Sequence, residues 1–225
     1  VESAFIRQKT IQANHLAEIM DYFETYQDWT YSVAWIDCLS KGAKLGRSVL
    51  MLGEHAKPTE LRKKSLNSPF NINVKGKKKI PFFFPSWVLN SMTIRLFNFF
   101  YFHLSRNSTT IVDYDTFFYP LDNIHDWNKM YGKRGFTQYQ CVLPLDQSRD
   151  GLTEILTMIS ASGRGSFLAV LKRFGNESLP GLSFSMEGYT LALDFPMNSS
   201  TKQLMNQLDT IVEKYNGRLY LAKDS

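Results

Sequence analysis

Six side chains in this 225-residue sequence have the types for polar chemistry on a rigid frame: Gln138, Gln140, Lys172, Thr190, Tyr220 and Lys223. The two glutamines stand in the run Gly135–Pro144, GFTQYQCVLP. Residues two apart on a strand share a face, so both carboxamides point the same way, flanked by Phe136 and Val142. Carboxamides on an otherwise apolar face are costly to bury unless their hydrogen bonds are met. A polar partner is therefore expected opposite them: side chains of another strand, water or a ligand. Each candidate also has a plainer use. The glutamines can pair across a sheet, Lys172 can run its stem along apolar surface into solvent, and Tyr220 and Lys223 can form a solvated strand end. His125 could act as a base, although an aromatic-rich loop entering a helix more often uses such a residue for packing. The sequence carries no Ser-His-Asp order, GxSxG elbow, P-loop, GxGxxG or metal-spaced cluster. On its residues alone it states no reaction.

The elements that must hold these residues follow from periodicity. Glu2–Gln8 reads as a strand, and Asn14 as the N-cap of a helix reaching about Tyr26, with Leu16, Ile19, Met20 and Phe23 on one side. Tyr31–Asp37 and Arg47–Glu54 are strands joined through Gly42 and Gly46 as a hairpin. Ser86–Leu104 is a helix with aromatic residues on nearly all sides, which implies burial or contact with another domain or a lipid tail. A strand at Thr109–Asp113 and a short helix near His125–Met130 precede the glutamine strand. A helix over Ser148–Ser162, ended by Gly163 and Gly165, leads to strands Ser166–Phe174 and Ser185–Phe195. Ser199 or Ser200 caps a last helix, and Arg218–Ala222 is the final strand. The order β-α-β-β thus occurs twice and suggests an internal duplication. The expected fold class is α+β: a mostly antiparallel sheet covered by helices.

The net charge of +5 is local. Residues 57–79 hold eight Lys or Arg against Glu60, a sum of +7, so the remainder is −2. Ala56–Pro81 is polar, lacks a period and reads as a basic, mobile loop. Lysines 77–79 run into Ile80-Pro81-Phe82-Phe83-Phe84-Pro85 and Trp87, a pattern of interfacial anchors for anionic lipid headgroups. Interruptions by Pro81, Pro85, Asn90, Arg95 and Asn98 exclude a transmembrane span there. Basicity confined to one patch, without a nucleic-acid-binding motif, argues against nucleic acid as a partner. Cys38 and Cys141, far apart and each in an expected strand, read as buried free thiols of a reducing cytoplasm. Val1 opens the sequence without an initiator Met or a leader, so we expect a piece of a longer protein.

Five blocks occur in order: YSVAWID, YDTFFYPLDNIHDWNKMYGKRGFTQYQCVLP, SFLAVLKRFG, GYTLALDFP and GRLYLAKD. Together they resemble the C-terminal half of FAD-linked oxidoreductases of the vanillyl-alcohol-oxidase superfamily, most closely the decaprenylphosphoryl-ribose oxidase type. The resemblance implies a substrate (cap) domain over residues 1–217, with the basic loop at 56–81, and at 218–225 the start of a return to a flavin domain outside this sequence. It implies that FAD serves the full-length protein, is not bound by this piece, and that the piece alone is inactive. By position, Gln138 and Gln140 would line the site above the flavin, with Gln140 nearer the substrate. Lys172, Phe174, Thr190 and Trp35 would border the pocket, and Tyr220 and Lys223 would meet both substrate and flavin edge. Lys223 and Gln140 would carry the catalytic roles, a lysine there suiting a departing hydride. Where the ribose oxidase type has asparagine and a reactive cysteine before DFP, this chain has Thr190 and Ala192, so covalent inactivation at that position is not expected.

The implied partners are a sugar or lipid-linked sugar substrate, the flavin-binding domain, an anionic membrane surface and a partner reductase. The implied setting is cytoplasmic, peripheral to the inner face of the membrane, in cell-wall sugar metabolism. The competing expectation is a non-catalytic lipid- or protein-binding module using residues 75–87.

Overall fold

Alternation of side chains decides which face of each strand is buried, and here it divides one large sheet into two unlike sides. The computed structural model describes all residues except 73–75, 77, 86, 167, 177–182 and 223–225, together with the side chain of residue 64. Its elements are β1 (Phe5–Ala13), α1 (Leu16–Thr25), β2 (Tyr31–Ile36), β3 (Ser48–His55), α2 (Lys63–Leu66), β4 (Lys78–Lys79), α3 (Ser91–Leu104), β5 (Ser108–Asp113) and α4 (Tyr114–Phe118). They continue with β6 (Ile124–His125), β7 (Phe136–Pro144), α5 (Ser148–Ser162), β8 (Ala169–Phe174), β9 (Gly188–Pro196), α6 (Ser199–Lys214) and β10 (Arg218–Leu219).

Eight strands form one sheet in the order β10-β7-β9-β8-β2-β3-β1-β5, and every pairing in it is antiparallel. The expected α+β class is what the structure shows. The duplication is also visible in the topology. In each half the first strand pairs with the third, the third with the second, and a fourth strand adds outside the first: β5-β1-β3-β2 and β10-β7-β9-β8. Each half is thus a β-α-β-β-α-β arrangement. The two second strands, β2 and β8, meet antiparallel at the centre through Ala34–Leu171 and Trp35–Val170.

Helices α1, α5 and α6 cover one side. Leu16, Ile19, Met20 and Phe23 of α1, Leu152, Ile155, Leu156 and Ile159 of α5, and Leu204, Leu208, Ile211 and Val212 of α6 pack there on Ala34, Ile36, Leu50, Leu52, Tyr139, Cys141, Leu171, Leu191 and Leu193. The i, i+3, i+4, i+7 spacing of those helical residues gives each helix its apolar stripe. Helix α5 stops where Gly163 takes φ +69°, a conformation open to glycine. On the other side, α3 crosses the end of the β2–β3 hairpin: its Ile94 joins the main core, while Phe102 packs with Trp35 and Val49. A buried carboxylate anchors the crossing, because Asp37 accepts from Asn98 Nδ2 at 2.6 Å and Arg47 Nε at 2.9 Å. Helix α4 covers the same side farther along, with Phe117 set over Gly53.

Several boundaries differ from expectation for physical reasons. The first strand is Phe5–Ala13 rather than Glu2–Gln8, since eight residues pair with β3 and bury Ile11 and Ala13. His15, not Asn14, caps α1 by accepting the Glu18 amide on Nδ1, while the Asn14 amide donates to the Glu18 carboxylate. Asn198 caps α6 in place of Ser199 or Ser200, its Oδ1 accepting from two backbone amides. The short helix near His125–Met130 is a 3-10 turn over Trp127–Tyr131, and His125 pairs with Lys79 in a two-residue strand. The final strand holds only Arg218 and Leu219. Residues 56–81, expected as loop, include a 3-10 turn at Pro58–Glu60 and the short helix α2, and residues 73–75 and 77 of that segment lie outside the described ones.

Candidate functional site

The side of the sheet that α1, α5 and α6 do not cover holds the predicted side chains in register. Leu171 and Ala169 of β8 face the helices, which turns Val170, Lys172 and Phe174 outward; Cys141 and Leu143 of β7 do the same for Gln138, Gln140 and Val142. Gln140 lies opposite Ala192, which lies opposite Val170, which lies opposite Trp35. The next row is Val142, Thr190 and Lys172, and the row on the other flank is Gln138 and Asp194. Directly opposed residues in such a ladder sit ~5 Å apart, so these rows make one contiguous surface. Leu219 packs on the helix side, leaving Tyr220 to follow Gln140 outward, and the Tyr220 amide donates to the Gln140 carbonyl at 2.9 Å.

The open question about the two carboxamides has a direct answer. Gln138 Nε2 donates to Asp194 Oδ1 at 2.9 Å, and Gln140 Nε2 donates to Thr190 Oγ1 at 3.2 Å. The Thr190 hydroxyl donates in turn to the Cys141 carbonyl at 2.9 Å. Both partners sit on β9. Asp194, 6% exposed, is the residue that sequence reasoning missed. The signal for it was present: on a strand, Asp194 is two and four residues from Ala192 and Thr190 and shares their face.

Aromatic residues bound this polar surface on two sides. Trp35, 5% exposed, is roofed by Tyr101 of α3 with ring centroids 4.6 Å apart, and Tyr101 stacks on Phe97 at 5.7 Å. Burial pushes the Tyr101 phenol above its ordinary pKa, so it serves the site as a neutral wall. Toward the other edge Phe174 meets Phe184 at 6.2 Å, and Phe184 meets Tyr220 at 4.9 Å. Tyr101 and Phe184 are further wall residues that spacing alone could not place, because one arrives on a helix from a distant segment and the other on a loop. Lys172 is exposed among these groups, whereas Thr190 is 2% exposed. The Lys223 prediction falls outside the described residues. His125 is exposed and lies away from the rows above.

Arranged this way, the surface offers amide, hydroxyl and ammonium groups on strands and aromatic faces at its borders. It can orient a hydroxylated ligand lying across it, with Lys172 supplying positive charge and the rings supplying apolar contact. Among the described residues there is no cluster of His, Cys, Asp or Glu able to hold a metal. Both thiols point elsewhere: Cys38 and Cys141 are free and buried, and burial pushes each up to about 12. A separate cavity of about 610 Å³ opens at one end, lined by Phe83, Phe84, Leu89, Ile94 and Tyr131 with Lys133, Arg134 and Arg164. It adjoins the glutamine surface through Tyr131, which stacks on Phe136 at 4.6 Å.

Over 199 residues the chain is 35% identical to the decaprenylphosphoryl-beta-D-ribose oxidase of Mycolicibacterium smegmatis, a match that takes in 88% of the chain and 43% of that protein. The chain is a relative of that oxidase. The likeness to the decaprenylphosphoryl-ribose oxidase type read from the sequence blocks is therefore borne out. A second relative, from Streptomyces coelicolor and described as an uncharacterized protein in the mprA 5′ region, is 25% identical over 206 residues, covering 87% of the chain and 55% of that protein. The chain spans about half the length of these curated relatives. No family model matches it. Among solved structures, a berberine bridge enzyme variant aligns over 94% of the chain and 40% of its own, at 13% identity and a TM-score of 0.41, a likeness too loose to carry an argument.

Proposed function

We propose that this chain is the substrate-binding part of an FAD-dependent oxidoreductase that oxidises an alcohol carbon of a sugar-like, polyprenyl-phosphate-linked substrate. Kinship to a ribose oxidase supports the oxidoreductase class. One structural observation carries the finer reading: Gln138, Gln140, Lys172, Phe174, Trp35, Thr190 and Tyr220 share the side of one sheet that α1, α5 and α6 leave uncovered. A flat surface of amides, an ammonium and aromatic rings fits one side of a flavin with a sugar between. The chain has no glycine-rich segment to cradle the pyrophosphate, so the cofactor would be held chiefly by residues of another domain, with Tyr220 and Lys223 at its edge. When bound, FAD would supply the hydride acceptor. In this chain Gln140 and Lys172 orient the alcohol and its neighbouring oxygens, and Trp35, Tyr101 and Phe174 keep water from the sides. Lys223 and Gln140 keep the catalytic roles proposed above. A reductase acting on the oxidised product belongs to the same reading.

The deciding experiment is to purify the full-length protein and record its visible spectrum, then measure turnover of a short-chain prenylphosphoryl-β-D-ribose. A flavin spectrum is expected, and Lys172→Ala should lower kcat/KM by about 100-fold, as for the loss of a charged contact to the reacting group. A folded but colourless full-length protein would overturn the proposal and favour a non-catalytic module built on residues 75–87.

A lipid-surface contact has its own support. From Leu61 to Val112 the sequence has no Asp or Glu and nine Lys or Arg. Phe82, Phe83, Trp87, Met92, Leu96, Phe99, Phe100 and Leu104 are all exposed within that stretch. No helix of the described residues is long and apolar enough to cross a membrane. Cations beside exposed aromatics suit peripheral docking on anionic lipid. Vesicles containing phosphatidylserine should bind the protein more tightly than pure phosphatidylcholine, with salt weakening the difference. Equal binding to both, or none, refutes the contact.

A further inference from the structure

Thr190 is almost wholly buried, at 2% exposure, and its hydroxyl is engaged on both sides. A threonine hydroxyl has one proton to give. Donation to the Cys141 carbonyl at 2.9 Å uses that proton, so toward Gln140 the oxygen can only accept. It accepts from Gln140 Nε2 at 3.2 Å. Turning the carboxamide round would bring its carbonyl against an oxygen whose proton is committed elsewhere, a repulsive pairing. Threonine on a strand is also stiff at χ1, which fixes where the hydroxyl points. Among the described residues, Ala192 stands opposite Gln140 and Val142 follows on the same face, and neither side chain can hydrogen-bond. The neighbouring amide, that of Gln138, is tied to Asp194.

We propose that Thr190 is a positioning residue that locks the Gln140 carboxamide with its nitrogen inward and its carbonyl oxygen presented to the ligand. The site then selects, at this point, for a group that donates a hydrogen bond. On the oxidoreductase reading, which this inference deepens, that group is the hydroxyl of the alcohol to be oxidised, accepted by Gln140 beside the ammonium of Lys172. Thr190 itself does not touch the ligand.

The test reads the amide directly and does not depend on flavin. In protein labelled with side-chain ¹⁵N-glutamine, the Gln140 signal is identified by its loss in Gln140→Leu. Thr190→Val should shift that signal and speed its exchange with water several-fold, while Thr190→Ser stays near wild type. Thr190→Ala serves as a second hydroxyl-free variant should valine disturb folding. An unchanged Gln140 signal in a folded hydroxyl-free variant overturns the proposal. So does an equal disturbance by serine, which would mark a packing role only. In the flavin-loaded full-length protein, Thr190→Val should lower kcat/KM for the prenylphosphoryl-ribose probe by about 10-fold, the order of one hydrogen bond, with serine restoring it. Turnover intact alongside a failed amide test removes the Thr190 proposal and keeps the oxidoreductase reading. A colourless protein with a positive amide test does the reverse.

Discussion

Replacing Asp37 tests whether the second side of the sheet depends on one buried carboxylate. Asp37 follows directly on β2, is 2% exposed, and receives the Leu39 amide at 3.0 Å, the Ser40 hydroxyl at 2.6 Å, Arg47 Nε at 2.9 Å and Asn98 Nδ2 at 2.6 Å. Arg47 also lies over the Phe102 ring of α3, 5.1 Å from its centroid. In Asp37→Ala the guanidinium remains mostly buried without its counter-charge, and removing one partner of such a pair costs about 3–5 kcal/mol. At about 2–4 °C per kcal/mol for a chain of this size, thermal unfolding should fall by roughly 6–20 °C. The double change Asp37→Leu with Arg47→Met removes both charges and should recover much of the loss, because a buried ion pair is worth little net over apolar packing. Urea titration followed by Trp fluorescence and circular dichroism supplies the free energies. Helix α3 should meanwhile become more open to limited proteolysis, since Asn98 loses its anchor. A loss under about 1 kcal/mol in Asp37→Ala, or a double variant no better than the single one, would refute this account of how α3 is held.

Three further outcomes follow from the same geometry. Gly53→Ala puts a methyl 2.4 Å from the Phe117 ring, so α4 must shift and stability should drop by about 1–3 kcal/mol in a urea titration. Both thiols have pKa values raised to about 12 by burial. At pH 8 only about one in ten thousand molecules carries a given thiolate, and the native protein should resist iodoacetamide until denatured, as read by intact mass. Agents that inactivate by capturing a thiol next to the substrate site should leave this protein unmodified there, because Ala192 occupies the row beside Gln140; a covalent adduct on β9 would contradict the register.

Much of the frame was legible because it rests on local periodicity. Strand β7 and helix α5 stand where alternation and the i, i+3, i+4 pattern put them, and glycine ends α5 as expected. The polar character of the Gln138 and Gln140 face was legible for the same reason. What opposes those amides was not, because cross-strand register is a long-range property: Asp194 and Thr190 reach them from 50 or more positions away. β1 runs past the expected end at Gln8 because β3 pairs with every residue from Lys9 to Ala13, and β5 pairs with Lys9 and Thr10 on the other edge, contacts that no local pattern reveals. The cap at His15 was missed because an imidazole accepting on Nδ1 is chemically adequate but uncommon beside an asparagine.

The duplicated topology explains why only half of the uncovered side is an open polar surface. In the first half that side is filled: α3 seats Phe102 on Trp35 and Val49, and α4 seats Phe117 on Gly53. In the second half the equivalent strands, β7, β8 and β9, carry Gln138, Gln140, Lys172, Thr190 and Asp194 in those positions, residues whose burial under a helix would cost several kcal/mol without matched partners. The second half's crossover helix, α6, lies with α1 and α5 on the helix-covered side instead. Two copies of one arrangement have thus taken separate tasks. The first supplies a wall, ending at Trp35 and Tyr101, and the second supplies the polar floor that the wall borders. Trp35 and Val170 are where they join, so a change at either should be felt on the floor without touching it. Trp35→Ala is the sharpest case: it removes the ring under Tyr101 and should lower ligand affinity while Gln140 keeps its bond to Thr190.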